Sequence, residues 1–206
     1  MLKINFNLID TQTILVSLIV FSVAFLRIIP HIYNFSPVIA LAIFGAIHFK
    51  SKTYSYFIGM LSIILSDIIL LSFVYNVEKT FLFFYEGFYW QYISYFLIIL
   101  LCFTFKGKKI GLKNIAFLCV SSSLIFFTVS HFGFGLTSGM YSLTLSGLLE
   151  CYIKAIPFYQ GTLLGSVFYT PIFFGSYYFL QKKNSAFRME HLTYWKCLIE
   201  FVKRIM

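Results

Sequence analysis

Six apolar stretches alternate with short polar breaks along the chain, at about residues 10–29, 37–49, 53–74, 89–105, 114–132 and 157–180. About 20 apolar residues cross a bilayer as a helix. The pattern therefore predicts an all-α integral membrane protein, a six-transmembrane-helix bundle over residues 1–181. The second stretch is short and rich in Ala40, Ala42, Gly45 and Ala46, so it must tilt into a cavity or be sheltered by neighbours. Residues 141–156 mix Leu with Ser, Thr, Glu150 and Lys154. That segment is too polar to span, and it predicts a short interfacial or re-entrant helix on the outer side before the last span. In residues 182–206, Leu192, Trp195, Ile199, Val202 and Met206 recur at helical spacing opposite Lys196, Glu200, Lys203 and Arg204. This reads as a cytoplasmic amphipathic tail resting on anionic lipid or docking onto a membrane partner.

Composition strengthens the membrane reading. Of 206 residues, 60% are apolar and 11% charged, against about 25% charged in a soluble domain. Mean hydropathy is +0.86. A soluble globular enzyme, a disordered tail and a secreted disulfide scaffold are excluded. The net charge of +9 reads as a topology signal rather than a nucleic-acid footprint, since no basic stretch resembles a groove reader. With six spans both termini share a side. That side collects Lys3, Lys50, Lys52, Lys106, Lys108, Lys109, Lys113, Lys182, Lys183, Arg188, Lys196, Lys203 and Arg204, leaving Arg27, Lys79 and Lys154 for the other. The bias places both termini in the cytoplasm. The apolar run 14–26 ends in Arg27-Ile28-Ile29-Pro30 rather than a small-x-small site, so the first helix is read as retained.

The scarce polar groups converge on the outer side. Asp67 is an ionisable side chain inside a membrane helix, a costly placement that is usually functional. It falls about 10 Å below the outer face, at a depth comparable to Arg27, and the two are expected to pair. That pair either locks helix one to helix three or belongs to a pocket. Asn34 and Ser36 lie in a stiff connector between Pro30 and Pro37. Trp90 opens the fourth helix, and His131 closes the fifth before Gly133 and Gly135. Glu150, Tyr152 and Tyr159 flank Pro157. Aromatic side chains with a few placed polar groups are what a small-molecule pocket needs. Asp67 and Glu150 would suit a cationic or multi-hydroxyl ligand.

Other chemistry finds little support. Cys102, Cys119, Cys151 and Cys197 form no C-x-x-C, and His31, His48, His131 and His191 show no i,i+4 pairing, so no metal or cofactor is expected. The string Gly135-Leu136-Thr137-Ser138-Gly139 is one residue too long for an intramembrane serine protease, and no Walker A motif is present.

One resemblance adds to this reading. The set Arg27, Pro30, Asn34-Phe35-Ser36-Pro37-Val38, Ala42, Phe44-Gly45, Ser66-Asp67, His131-Phe132-Gly133, Gly147-Leu148, Cys151-Tyr152, Ala155-Ile156-Pro157-Phe158, Thr162-Leu163, Gly165 and Tyr169 resembles an uncharacterised bacterial membrane family grouped with the substrate-binding (S) components of energy-coupling-factor (ECF) transporters. The likeness covers roughly residues 20–180. It implies a six-helix fold with cytoplasmic termini in a bacterial inner membrane, and a pocket near the outer face for a vitamin, a precursor or a metal. It also implies a partner module of a transmembrane coupling protein and two ATPases. Relatives often carry Asp after the glycine of the sixth helix, where this chain has Ser166. The nearest small-residue contact face is Ala42-x-x-x-Ala46 on helix two.

The expected function is therefore uptake of a small-molecule substrate as a non-enzymatic membrane subunit in contact with lipid. Arg27, Asn34, Ser36, Asp67, Trp90, His131, Glu150, Tyr152 and Tyr159 are the expected substrate-binding residues. A scaffold of the cell-elongation type is the alternative. A membrane enzyme on lipid-linked substrate, with His131 or Glu150 as base, is a third reading.

Overall fold

The computed structural model describes residues 11–25, 34–49, 51–74, 87–108 and 110–183. Among the described residues six helices follow in order: α1 (Thr11–Phe25), α2 (Val38–His48), α3 (Lys52–Ile69), α4 (Phe88–Phe103), α5 (Leu112–Thr137) and α6 (Leu145–Lys183). Leu70–Val74 prolongs α3 as a π-helical turn. Among the described residues there is no strand. The amphipathic tail expected over 182–206 lies outside the described residues from 184 onward.

The exterior is apolar and the interior carries hydroxyls, the reverse of a soluble domain. Leu18, Phe57, Phe96, Phe117, Leu124, Phe168 and Phe179 are exposed, while Ser55, Ser62, Ser66, Ser94, Ser122, Ser123, Ser166 and Thr170 are buried. Segments Lys52–Ser72, Leu112–Thr137 and Leu145–Leu180 are long and apolar enough to cross a membrane. The chain thus has the character of a helical membrane protein, with α2 and α4 as shorter apolar helices.

The shortest helix organises the others. All eleven residues of α2 are buried, and α2 touches each of the other five helices. At 1.5 Å per residue it is about 16 Å long, half the roughly 30 Å of a bilayer core. A helix that short would leave its end groups bare in lipid, so its neighbours enclose it. Its ends are tied locally: Leu41 N–H donates to Pro37 O at 2.8 Å and Phe49 N–H to Gly45 O at 3.1 Å. The Ser55 hydroxyl of α3 also donates to Gly45 O at 3.0 Å.

Polar contacts stitch α5 to α6. The Ser123 and Ser166 hydroxyls lie 3.1 Å apart, and the Cys119 thiol donates to Thr170 Oγ1 at 3.5 Å. Ser166, the residue that departs from the related pattern, is thus a buried helix–helix contact. Hydroxyls of this kind satisfy one another where no water can.

The last part of the chain corrects the sequence reading. No separate interfacial helix precedes a span at Pro157. Helix α6 runs unbroken for 39 residues through Pro157 and Pro171, about 58 Å at helical rise. A proline removes one backbone donor, yet helices of membrane character tolerate it where neighbouring groups compensate. The apolar surface expected at an interface is present on this segment: Leu143, Leu145, Leu149 and Ile153 are all exposed. Helix α5 likewise continues past residue 132 to Thr137.

Candidate functional site

Three helix faces and two turns enclose a cleft at one end of the bundle. Helix α5 contributes Ser130, His131, Phe134 and Thr137, and α6 contributes Cys151, Lys154, Ala155 and Phe158. The α6 set follows i, i+3, i+4, i+7, one stripe of a helix. Gly87, Trp90 and Gln91 come from the start of α4, Phe126 from lower on α5, and Asn34 and Tyr141 from the flanking turns. The cavity measures about 340 Å³, at the low end of the roughly 300–1,000 Å³ that hold small molecules. A second cavity of about 80 Å³ shares Asn34, Gln91 and Phe126 and adds Ser36, Val38, Ile39, Tyr95 and Thr162. Tyr95 and Phe126 stack at 5.3 Å, forming the floor between the two.

Backbone geometry sets the walls. Asn34 takes φ 57°, a left-handed conformation uncommon for a side-chain-bearing residue. Its carbonyl accepts from Ser36 N–H at 2.8 Å, closing a tight turn that sets Asn34 on the lining of both cavities. The turn is pinned to α6 by Phe35, 5.5 Å from Phe168 and 5.4 Å from Tyr169. A Cβ at Gly165 would lie 2.9 Å from the Ser36 backbone, so only glycine lets α6 approach this closely. On the opposite wall, a Cβ at Gly133 would fall inside the indole of Trp90. Trp90 thus lies flat on α5, with Phe132 edge-on at 5.6 Å. Gly87, at φ 75°, caps α4 in a conformation that favours glycine.

The polar groups have defined roles. His131 Nδ1 is 2.9 Å from Phe127 O. A carbonyl only accepts, so Nδ1 donates and Nε2 of the neutral ring is an acceptor. The Thr137 hydroxyl donates to Gly133 O at 2.9 Å. Lys154 Nζ sits 2.6 Å from Glu150 Oε1 and 5.6 Å above the Tyr141 ring. Asp67 is buried, accepts from Tyr92 Oη at 2.8 Å and receives the Gln91 amide at 3.4 Å. It therefore stands behind the cleft and orients Gln91, which lines it. The lysines Lys52, Lys106 and Lys108 lie over Phe103 and Phe105 at the opposite end of the bundle.

The expected residues separate accordingly. Asn34, Trp90 and His131 line the larger cavity, and Asn34 and Ser36 the smaller. Asp67 is one residue removed from it. Glu150 turns outward, with its side chain 55% exposed, because the i,i+4 ion pair holds it on the outer edge of α6. Tyr152 and Tyr159 face α5 instead of the cavity. Tyr152 donates to Thr128 O at 2.7 Å, and both rings pack on Phe127 at 5.6 and 5.2 Å. Arg27, and with it the expected Arg27–Asp67 pair, lies outside the described residues. Neither carboxylate named from the sequence lines the cavity, so they offer nothing directly to a cationic ligand. Sequence reasoning missed Gln91, Thr137, Tyr141 and Lys154 as lining groups. The signal was available in the 151/154/155/158 stripe and in the adjacency of Gln91 to Trp90. Among the described residues no group of three or more His, Cys, Asp or Glu could hold a metal ion.

No curated protein matches the sequence, and no solved structure matches it. One family model matches residues 7–188, nearly the whole chain. The cleft, the buried α2 and the bridged α5–α6 pair are therefore features of a member of the family of unknown function DUF6580.

Proposed function

We propose that the protein is the substrate-binding subunit of an ECF-type uptake system, a six-span membrane bundle that captures a small molecule at its outer mouth. The observation that carries this reading is the cleft of about 340 Å³. It gathers Asn34, Gln91, Trp90, His131 and Lys154 at the end of an apolar bundle remote from Lys52, Lys106 and Lys108. The positive-inside bias puts that lysine end in the cytoplasm and the cleft outside. The likeness of the NFSPV and CYxxAIPF strings to an S-component-like family supplies the transport class. A transmembrane coupling protein and ATPase subunits are the partners this reading requires, because the chain has no nucleotide motif of its own.

Native mass spectrometry of gently purified protein tests it. The expected result is a co-purifying small molecule in stoichiometric amount. Asp67→Asn, which weakens the hold on Tyr92 and Gln91, is expected to lower retention of that molecule more than the protein level in the membrane. Equal losses would reduce Asp67 to a packing role. An empty protein that still recruits partners would favour the scaffold reading, with the filled core around α2 as its basis.

A further inference from the structure

The polar inventory of the cleft specifies a ligand class. Among the described residues, Lys154 is the one charged side chain lining the cavity. Its ammonium carries three donors, of which Glu150 Oε1 at 2.6 Å engages one. Asp67 is turned to Tyr92 and Gln91, and Glu150 stands on the outer edge. Among the described residues a cationic ligand would therefore meet a like charge and no facing carboxylate. The face of Tyr141, which also lines the cavity, already carries the Lys154 ammonium at 5.6 Å. Trp90, Phe126, Phe134 and Phe158 supply flat apolar surface to the same cavity. Asn34 offers an amide with both a donor and an acceptor edge.

We propose that the cleft takes a flat aromatic or heteroaromatic molecule bearing a carboxylate or other anionic group, with its ring against Trp90 and Phe126 and its anion at Lys154. The inference rests on the small-molecule reading above and names the substrate class of that same site. Glu150 is then a competitor for Lys154: it holds the ammonium at the rim, and the arriving anion exchanges with it. Hydrogen bonds to ionised groups are about twice as strong as neutral ones. The anion thus selects the ligand, while the aromatic floor supplies area.

Three probes on one ring system test this by calorimetric titration of purified full-length protein: indole-3-acetate, indole-3-acetamide and tryptamine. The expected order is anion, then amide, then amine, with about tenfold between the first two. Lys154→Met is expected to lose that tenfold for indole-3-acetate and to leave the amide within about twofold. Glu150→Gln is expected to act in the opposite direction, strengthening the anion by about two- to fivefold as Lys154 is released. Opposite signs for two exposed neighbours are not produced by a purely structural role. Equal affinity of the three probes, preference for tryptamine, or no binding of any of them would overturn the ligand class. Native mass spectrometry separates this failure from failure of the carrier reading. A co-purified aliphatic or cationic molecule sinks the class alone, whereas an empty protein that binds no probe sinks both.

Discussion

Two histidines, His48 and His131, sit in the same local motif and lead different lives. Each follows a phenylalanine by four residues and places Nδ1 2.9 Å from that residue's carbonyl. Each ring lies against the same phenylalanine, at 4.2 Å for Phe44–His48 and 4.8 Å for Phe127–His131. Around His48 the remaining space is filled: Phe174 and Tyr177 close on it edge-on at 4.7 and 4.6 Å, and it is 1% exposed. Around His131 the space is the cleft, with Phe158 beyond it at 6.4 Å. The helix repeats its chemistry, and tertiary packing decides which copy becomes a pocket wall. A Phe-x-x-x-His string is therefore no site in itself.

The comparison breaks if the two rings prove equally structural. His48→Ala removes a fully packed ring and is expected to cost about 2–4 kcal/mol. His131→Ala opens onto existing space and is expected to cost about 1 kcal/mol or less, while ligand retention falls. Thermal unfolding of both variants in detergent measures the difference. Matching losses of thermal stability would mean that His131 is as buried in function as His48, and the cleft would lose its wall.

A second experiment sharpens the same contrast from the opposite wall. Gly133 lets Trp90 lie flat on α5, so Gly133→Ala must push the indole away. Overpacking of this kind costs about 1–3 kcal/mol. The chain has two tryptophans, so a Trp195→Phe background isolates the emission of Trp90. The expected outcome is a red-shifted Trp90 with weakened ligand retention. An unchanged spectrum would show that the indole does not rest on α5 as described.

How much of this was legible in the sequence depended on the range of the interaction. Hydropathy located the helices because burial in an apolar phase acts residue by residue, and the short second stretch was correctly expected to need shelter. Its role as the hub touching every other helix was not legible, because that depends on all five partners at once. Pro157 misled the reading at residue scale: a proline ends most helices in water, yet here α6 passes through it. Asn34, Trp90 and His131, which line the cleft, were named because Asn34 lies in the connector between two prolines and the other two stand at apparent helix ends. Tyr152 and Tyr159 were misplaced by one helix face. A shift of about 100° per residue turns a lining ring into an α5–α6 contact, and nothing in composition fixes that rotation. Lys154 was read as a topology marker because its pairing with Glu150 is a matter of geometry.

The two ends of the bundle also treat a lysine differently, and the smallest expected effect lies there. Lys154 stands at the rim with a carboxylate beside it. Lys106, in the turn after α4, has its ammonium buried beside Phe103, 5.3 Å from the ring centroid, with no hydrogen-bond partner among the described residues. Burial, and then the nearby positive charge of Lys52, hold its amine below the usual lysine range. The sign of the linkage follows. Between the lowered folded value and the ordinary value of about 10.4, the unfolded chain holds more protons than the folded one, so stability rises with pH across that window. Below it the cost of the buried charge is fully present. Lys106→Met removes both the cost and the slope. Because the side chain is partly exposed, solvent screening keeps the effect small, below about 0.5 kcal/mol. Unfolding of wild type and variant compared at pH 7.5 and pH 10 is expected to show the wild type gaining on the variant as the solution becomes alkaline. A parallel pair of curves would place the Lys106 ammonium in water and leave the lysine end as an ordinary solvated face.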